Sequence, residues 1–219
     1  MNQRAVTGLV AVLALILGVW GAITIAPPST GDSETEPDTQ YFQHYPAPRN
    51  LSEFSLIRAN GKSLTNDDLN DQWSLVFLGY TYCPDICPTT MAALNRIYPQ
   101  LKALDSNFPV RVLFISVDPK RDTTERLNEY IGFFNSEFMA ASGGHDQLFP
   151  LVRSLGMMYA LSESTDNPNY LVDHSASVVL LNPQAQVIGR FKPDLTPGKL
   201  AVADAQQILA DMPEIISTK

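Results

Sequence analysis

The only two cysteines of the chain lie four residues apart, where an apolar run gives way to a helical pattern. Residues 74–79 (SLVFLG) form a continuous apolar run of strand length, which is typical of a strand buried on both faces. From about residue 85 to 104 the apolar side chains repeat along one helical stripe, namely Met91, Leu94, Ile97, Tyr98 and Leu101. The pattern predicts an α/β domain with both thiols at the N-terminus of its first long helix.

The order of the other predicted elements narrows the fold class. A short hairpin around Asn60-Gly61 comes before the buried strand, and a second apolar strand follows the helix. Further elements are a strand at 110–117, helices at 123–134 and 146–155, paired strands at 176–181 and 186–191, and a helix at 197–209 that begins with proline. An early βαβ unit with a late antiparallel hairpin predicts a thioredoxin-like fold, with a mixed central sheet flanked by helices.

The N-terminal region has a different composition. Residues 6–26 form an uncharged stretch of 21 residues, which is long enough to span a hydrocarbon core. Arg4 precedes it and the acidic segment GDSETEPD follows it, which predicts an exported C-terminal part. The alternative is a cleaved signal peptide, but its apolar region is usually shorter, and Pro27 would follow the cut. We therefore predict a cytoplasmic N-terminus (1–5), a transmembrane anchor (6–26), a flexible tether (27–50) and a folded domain (51–219).

The net charge of the chain and its N-terminal sequence indicate which partners it can bind and where in the cell it lies. The chain has a formal charge of −8, and the part beyond residue 26 has fourteen basic and twenty-three acidic residues, a balance of −9. Such an acidic domain argues against binding nucleic acid, which requires a basic face. No Arg- and Ser-rich transit peptide is present in the sequence. We expect a single-pass protein of the bacterial inner membrane, with its C-terminal domain in the periplasm.

The spacing of Cys83 and Cys87 suits two chemistries. Both thiols would lie on one helix face, close to free backbone N–H groups and the positive end of the helix dipole, which lower a thiol pKa. Thiolate is the form required for metal ligation and for disulfide exchange. Pro84 and Pro88 stiffen the turn, and a proline-rich turn is a poor place to bury two purely structural cysteines.

A histidine further along the chain favours metal ligation. Thioredoxin-type enzymes use C-x-x-C with a proline before a later strand, whereas this chain has C-x-x-x-C, and His174 stands where that proline is expected. A lone histidine is often structural, but two thiolates and an imidazole would form a soft three-donor site. Thiolates select Cu(I) or zinc, and structural zinc requires a fourth ligand, so copper fits better, and the imidazole makes a Cu(II) form possible.

The polar residues beside these side chains have several possible roles. Asp173 could orient the His174 imidazole or contact a partner, and a solvated carboxylate beside the site needs no role. Asp85, between the cysteines, belongs to the helix start or contacts a partner. Residues 118–123 (DPKRDT) predict a strand-to-helix turn capped near Asp122, with support of the site as a secondary role.

Three stretches of the sequence resemble the Sco/SenC family of copper-binding assembly factors: GYTYCPDICP at 79–88, SVDPKRDT at 116–123 and YLVDHS at 170–175. The resemblance covers about residues 52–209. It implies a thioredoxin-like fold that binds one copper through Cys83, Cys87 and His174. It also implies copper delivery to the CuA centre of cytochrome c oxidase, or reduction of that centre's thiols. Tyr82 stands where relatives often have a histidine. Some members act in redox signalling or copper homeostasis, so the resemblance supports the site more firmly than the client.

Three functions therefore remain open. The first is a metallochaperone that passes copper to the CuA-bearing oxidase subunit or to another copper chaperone. The second is a thiol-disulfide oxidoreductase or redox sensor, in which Cys83 attacks a disulfide and Cys87 resolves it. The third is a membrane-tethered binding module whose cysteines brace a loop. Copper transfer should require His174, disulfide exchange should tolerate its loss, and the third function predicts that cysteine replacement affects stability alone.

Overall fold

The structure, a computed structural model, describes residue 3 and residues 12–21, 38–161 and 165–217. The chain divides into two compact units, Met1–Glu36 and Pro37–Lys219. In the first unit, residues 12–21 are helical, and the rest of the predicted anchor at 6–26 lies outside the described residues. Among the described residues, no helix is both long and apolar enough to cross a bilayer.

The second unit is built on one mixed sheet of eight strands. Its strands are β1 (Phe42–Asn50), β2 (Ser55–Arg58), β3 (Ser63–Thr65), β4 (Trp73–Gly79), β5 (Val110–Ser116), β6 (Met139–Ser142), β9 (Val178–Leu181) and β10 (Gln186–Phe191). A separate two-stranded ribbon pairs β7 (Tyr159–Leu161) with β8 (Val172–His174). The helices are α1 (Ile86–Lys102), α2 (Thr124–Phe134), α3 (His145–Ser154) and α4 (Ala205–Ser217).

The central strands carry the core of the sheet. The spatial order is β1-β10-β9-β4-β5-β6-β2-β3, in which β4, β5 and β6 run parallel and every other neighbouring pair is antiparallel. All residues of β4 are buried, as its continuous apolar sequence predicts. The α1 side chains of the predicted stripe are buried as well. The mixed α/β fold with helices flanking a central sheet is confirmed.

The parallel pairing of β4 and β5 determines where the site lies. Gly79, the last residue of β4, is in register with Ser116, the last residue of β5. The carboxyl ends of the two strands therefore meet at one edge of the sheet. The loop with the cysteines and the turn at 118–122 begin side by side at that edge.

The prediction of a flexible tether over residues 27–50 is wrong for its last part. Phe42–Asn50 is strand β1, which pairs antiparallel with β10. Its prolines, at positions 46 and 48, fall where the register shifts between His44 and Arg49, so their missing N–H groups leave no ladder bond unmade. The buried carboxylate of Asp211 accepts bonds from the N–H groups of residues 40, 41 and 42 (3.1, 2.7 and 2.7 Å). Distant residues therefore order this segment.

The last helix also differs from the prediction. The sequence predicts a helix at 197–209, whereas α4 spans Ala205–Ser217 and contains Pro213. The Oδ1 of Asp204 accepts a hydrogen bond from the N–H of Gln206 at 2.7 Å, so Asp204 supplies the start signal that the prediction assigned to Pro197. The buried side chains Ile208, Met212, Ile215 and Ile216 follow the helical period of the observed element.

Candidate metal centre

The two cysteines lie at the junction between β4 and α1, as predicted. Cys83 is half-buried in the loop, whereas Cys87 is fully buried in the first turn of α1, and both thiols are free. The N–H of Cys83 donates to the carbonyl of Tyr80 (3.2 Å), and the N–H of Cys87 donates to the Cys83 Sγ (3.4 Å). A helix-start amide therefore points at the more exposed sulfur, which favours its thiolate form.

His174 completes the cluster. It is the last residue of β8, and its Nε2 lies 3.4 Å from the Cys87 Sγ. Its Nδ1 lies 3.2 Å from the carbonyl oxygen of Ser175, which can only accept, so Nδ1 carries the proton and Nε2 presents a lone pair to the thiols. The rings of Phe77 and Tyr80 meet the imidazole edge-on. The structure thus brings together the three predicted ligand side chains, whose donor atoms all lie within 4.8 Å of one another.

The two thiols differ in acidity. A hydrogen bond from the Cys87 thiol lowers the pKa of Cys83 to about 4 although burial opposes the shift. Burial raises the pKa of Cys87 above its usual range, and the neighbouring Cys83 thiolate raises it further. At neutral pH the two shifts favour a thiolate on the half-exposed Cys83 and a protonated thiol on the buried Cys87.

This asymmetry predicts different alkylation behaviour for the two thiols. Because the lowered pKa of Cys83 keeps it ionised, its reaction with iodoacetamide should be almost independent of pH between about pH 6 and about pH 8. Cys87 should remain nearly unreactive over that range, because it is buried and protonated. Mass spectrometry of the reduced protein measures both rates. A Cys83 rate that rises about tenfold per pH unit, as for an ordinary thiol, would contradict the prediction.

Gly79, at the end of β4, leaves the space that the buried sulfur occupies. A Cβ at this position would stand 2.7 Å from the Cys87 Sγ and 2.6 Å from Cε2 of Phe114. Neither neighbour can move away easily, because Cys87 and Phe114 are fully buried. The absence of a side chain at position 79 is therefore part of how the cluster forms.

We expect Gly79→Ala to displace the Cys87 sulfur and to lower the free energy of unfolding by about 1–3 kcal/mol through overpacking. Urea denaturation measures the loss of stability, and the Cu(I) affinity reports the displacement of the sulfur. Gly132→Ala on α2 is the matched control, because no atom lies within 4 Å of its added Cβ. The control should leave the metal centre unchanged and stabilise α2 slightly. Equal stability of the two variants would be inconsistent with this packing.

The cysteine loop is fixed to the turn after β5. The carboxylate of Asp122, which is buried, accepts from the N–H and the hydroxyl of Thr81 (2.9 and 2.7 Å) and from the hydroxyl of Ser116 (2.5 Å). The predicted cap near Asp122 is displaced by one residue, since the Thr123 hydroxyl accepts from the N–H of Arg126 at the start of α2. Asp122 thus supports the loop two residues before Cys83.

Arg121 forms a second network at this turn, and the sequence does not predict its partners. The Nε of Arg121 donates to the buried carboxylate of Asp118 (2.5 Å), and its two terminal nitrogens donate to the carbonyls of Pro168 (3.0 Å) and Tyr170 (2.9 Å). The Tyr170 hydroxyl donates to Asp118, and the guanidinium lies 3.5 Å above the Tyr170 ring. The one sequence signal was a run of polar residues directly after a buried parallel strand, where sites in α/β proteins lie.

The two carboxylates predicted to support the site or a partner are both exposed. Asp85 occupies the N-cap position of α1, and its side chain makes no capping hydrogen bond. Asp173 lies on β8, opposite Ala160 of β7. The Nδ1 of His174 contacts the carbonyl of Ser175, in the role that the sequence suggests for Asp173. Contact of these carboxylates with a partner stays a prediction.

Two thiols and an imidazole lie together at the carboxyl end of β4 in a thioredoxin-like fold. This combination defines a class of domains that bind soft metal ions or exchange disulfides. Comparison with known families then identifies the group. The chain belongs to the SCO1/SenC family, whose profile matches residues 43–210. That range includes Cys83, Cys87 and His174 and all the elements that position them.

Individual relatives agree with this assignment. The protein SCO1 homolog 1, mitochondrial, of Arabidopsis thaliana is 36% identical over 135 residues, which are 62% of this chain and only 40% of the plant protein. An SCO2-like protein of Rickettsia prowazekii is 32% identical over 197 residues, which are 89% of this chain and 93% of the relative.

Solved structures of similar proteins include copper-bound forms. The copper-bound ScoI of Arabidopsis thaliana matches with a TM-score of 0.65 and 30% identity, over 77% of this chain and 99% of that one. The copper-bound ScoI of Bradyrhizobium japonicum matches with a TM-score of 0.61 and 27% identity, over 74% of this chain and 97% of that one. The thioredoxin-like architecture is therefore shared with proteins that have been solved with copper.

Proposed function

We propose that this chain is a copper metallochaperone, which carries one Cu(I) between Cys83, Cys87 and His174 and passes it to a partner. The observation that carries the proposal is the convergence of two sulfurs and one imidazole nitrogen within 4.8 Å. Each donor comes from a different local element, namely the loop after β4, the first turn of α1 and the end of β8.

The donor set fits Cu(I) better than other common metals. Thiolates are soft ligands that select Cu(I) or zinc, and the unprotonated Nε2 of His174 can serve as a third donor. Structural zinc sites take four ligands, whereas in the described part of the chain the cluster holds three candidate side chains. The imidazole is also compatible with Cu(II), so the site can hold copper in either oxidation state.

The unequal thiols suit loading and release. Metal binding requires the Cys87 proton to leave, because ligating cysteines are thiolates. When the metal departs, that proton returns to Cys87, whose raised pKa favours the protonated state. Since Cys83 is half-exposed and Cys87 is buried, an incoming thiolate can reach the metal on the Cys83 side and exchange with that ligand.

The family suggests the recipient and the location. We propose that the chain delivers copper to the CuA-bearing subunit of cytochrome c oxidase, or reduces the thiols of that centre, or exchanges copper with another chaperone. Residues 6–26, with their positive N-terminal and acidic C-terminal flanks, support a membrane anchor and a periplasmic domain in a bacterium.

Copper binding is tested by titrating the reduced, anaerobic full-length protein, in detergent, with Cu(I) against a competing chelator. The proposal predicts one tightly bound copper per chain. The oxidised protein, in which the cysteines are joined, is the matched control and should not compete. Failure of the reduced protein to take copper from a moderate chelator would end the metallochaperone proposal.

The difference between the two thiols also favours a second candidate function, thiol-disulfide exchange. A half-exposed thiolate beside a buried thiol is the arrangement of an attacking and a resolving cysteine. His174→Ala separates the candidates, because it removes a copper ligand and leaves both thiols in place. Lost copper affinity with retained disulfide reduction would identify two separable activities of one site, whereas unchanged copper affinity would favour exchange as the main function.

A further inference from the structure

Arg121 joins the turn after β5 to the segment that leads into His174. Its two terminal nitrogens donate to the backbone carbonyls of Pro168 and Tyr170, and its guanidinium stacks on the Tyr170 ring. Lys120 adds a contact from its Nζ to the carbonyl of Thr165 at 2.7 Å. Together these contacts reach the segment at residues 165–170, which has no helix or strand of its own and runs directly into β8.

The Arg121 side chain is itself firmly placed. It is only 12% exposed, and its Nε is paired with the carboxylate of Asp118, which is 1% exposed. The Tyr170 hydroxyl donates to that same carboxylate. The Tyr170 backbone and ring are thus held by two residues of the turn, four positions before His174 along the chain. A planar guanidinium that donates in several directions can do this, whereas an ammonium group cannot.

The same turn also contacts the loop that contains Cys83. Asp122, the next residue, accepts both hydrogen bonds from Thr81, which lies two positions before Cys83. The turn at residues 118–122 therefore contacts the loop that contains Cys83 through Asp122. Through Arg121 it contacts the segment at residues 165–170, which leads to His174. Both sets of contacts start from one short turn at the end of β5.

We propose that Arg121 is a positioning residue of the metal centre, which sets the place of the His174 imidazole relative to Cys83 and Cys87 through the backbone at Pro168 and Tyr170. This inference rests on the proposed function for its metal-binding consequence. Residues that orient a metal ligand without binding the metal themselves typically contribute 10–100-fold to metal affinity. We expect a loss of that size when the two contacts from Arg121 to backbone carbonyls are removed.

Charge could be an alternative source of such an effect, because the guanidinium also lies 4.9 Å from the Tyr82 ring centroid, beside the cysteine loop. Arg121→Lys separates charge from geometry. Lysine keeps the positive charge near Asp118 but cannot reach both carbonyls and the carboxylate together. If position matters, Arg121→Lys should lose Cu(I) affinity almost as fully as Arg121→Ala. An Arg121→Lys affinity within about threefold of the wild type would overturn the proposal.

A double-mutant cycle with His174→Ala tests whether Arg121 acts through the imidazole. Cu(I) competition titrations on the full-length protein should show the 10–100-fold loss for Arg121→Lys in the wild-type background and less than about a twofold loss in the His174→Ala background. Lys102→Ala, which removes an exposed lysine paired with Glu137, is the control for the positive charge lost in Arg121→Ala and should leave the Cu(I) affinity unchanged in both backgrounds. Equal losses in both backgrounds would overturn the proposal.

A measurement without copper keeps this inference separate from the metallochaperone proposal. Hydrogen exchange of the copper-free, full-length protein should be faster over residues 168–175 in Arg121→Lys than in the wild type, with no change over α1. Unchanged exchange at 168–175 would overturn the positioning role even if copper binds. Faster exchange in a protein that takes up no copper would refute the proposed function alone.

A gentler variant serves if Arg121→Lys does not fold. Tyr170→Phe removes only the hydroxyl bond to Asp118 and keeps the ring beneath the guanidinium. It should give a smaller loss of Cu(I) affinity than that expected for Arg121→Lys, and the loss should again disappear in the His174→Ala background. A Tyr170→Phe loss that persists undiminished in that background would contradict the proposed route.

Discussion

Cys87→Ser should lower the Cu(I) affinity of the protein by more than about 100-fold, because loss of a direct ligand should exceed the effect typical of an outer contact. The serine hydroxyl is a hard oxygen donor that Cu(I) binds poorly. It would also occupy a position where the native cysteine is fully buried. Competition titration under anaerobic conditions measures the loss, and circular dichroism verifies that the variant is folded.

Two further variants sharpen that result. Cys83→Ser should cause a loss of the same order, since both sulfurs belong to the cluster. Thr89→Ala, an exposed replacement two residues after Cys87, is the control on the same helix turn and should bind as the wild type does. A Cys87→Ser protein that remains folded and binds Cu(I) within tenfold of the wild type would show that this sulfur is not a ligand.

Asp122→Ala should be the most destabilising change near the site, lowering the free energy of unfolding by about 3 kcal/mol or more. The substitution leaves the Thr81 N–H, the Thr81 hydroxyl and the Ser116 hydroxyl without their acceptor in a buried environment. Each buried polar group that loses its partner typically costs about 1–3 kcal/mol. Urea denaturation at neutral pH measures the change.

Asp122→Asn is the matched control, because it keeps an oxygen acceptor and the side-chain volume. Burial raises the pKa of Asp122, so the folded state binds its proton more tightly than the unfolded state does. The contribution of this group to stability is therefore present at low pH and decreases as pH rises above the unfolded pKa of about 3.9. Asp122→Asn keeps one of the two acceptor oxygens, so it should lose that pH dependence and destabilise the protein less than Asp122→Ala does. An Asp122→Ala cost below about 1 kcal/mol would contradict the hydrogen-bond network.

The sequence predicts well those parts of the fold that depend on residues close together along the chain. The apolar run of β4 and the helical stripe of α1 lie on either side of the cysteines, and these short-range patterns place both thiols at the carboxyl edge of the sheet. The hairpin of β9 and β10 follows in the same way, from two apolar segments on either side of a turn. The position of His174 follows only once the thioredoxin-like topology is assumed.

The missed elements depend on distant partners. Strand β1 contains two prolines and has a polar sequence, and it is ordered by β10 and by Asp211, about 170 residues away. The contact between Arg121 and Tyr170 joins residues 49 positions apart. Neither periodicity nor composition carries such information, because both describe neighbours along the chain. The predicted start of α4 at Pro197 is wrong because the helix begins after Asp204, whose carboxylate accepts from the N–H of Gln206.

X-ray absorption of the Cu(I)-loaded, full-length protein tests whether two sulfurs and one imidazole bind the copper, as we propose. The proposed site predicts a first coordination shell of two sulfur scatterers and one nitrogen, with the imidazole outer-shell pattern lost in His174→Ala. A wild-type spectrum without sulfur in the first shell, or with an imidazole signal that survives in His174→Ala, would contradict the assignment of Cys83, Cys87 and His174 as the metal centre.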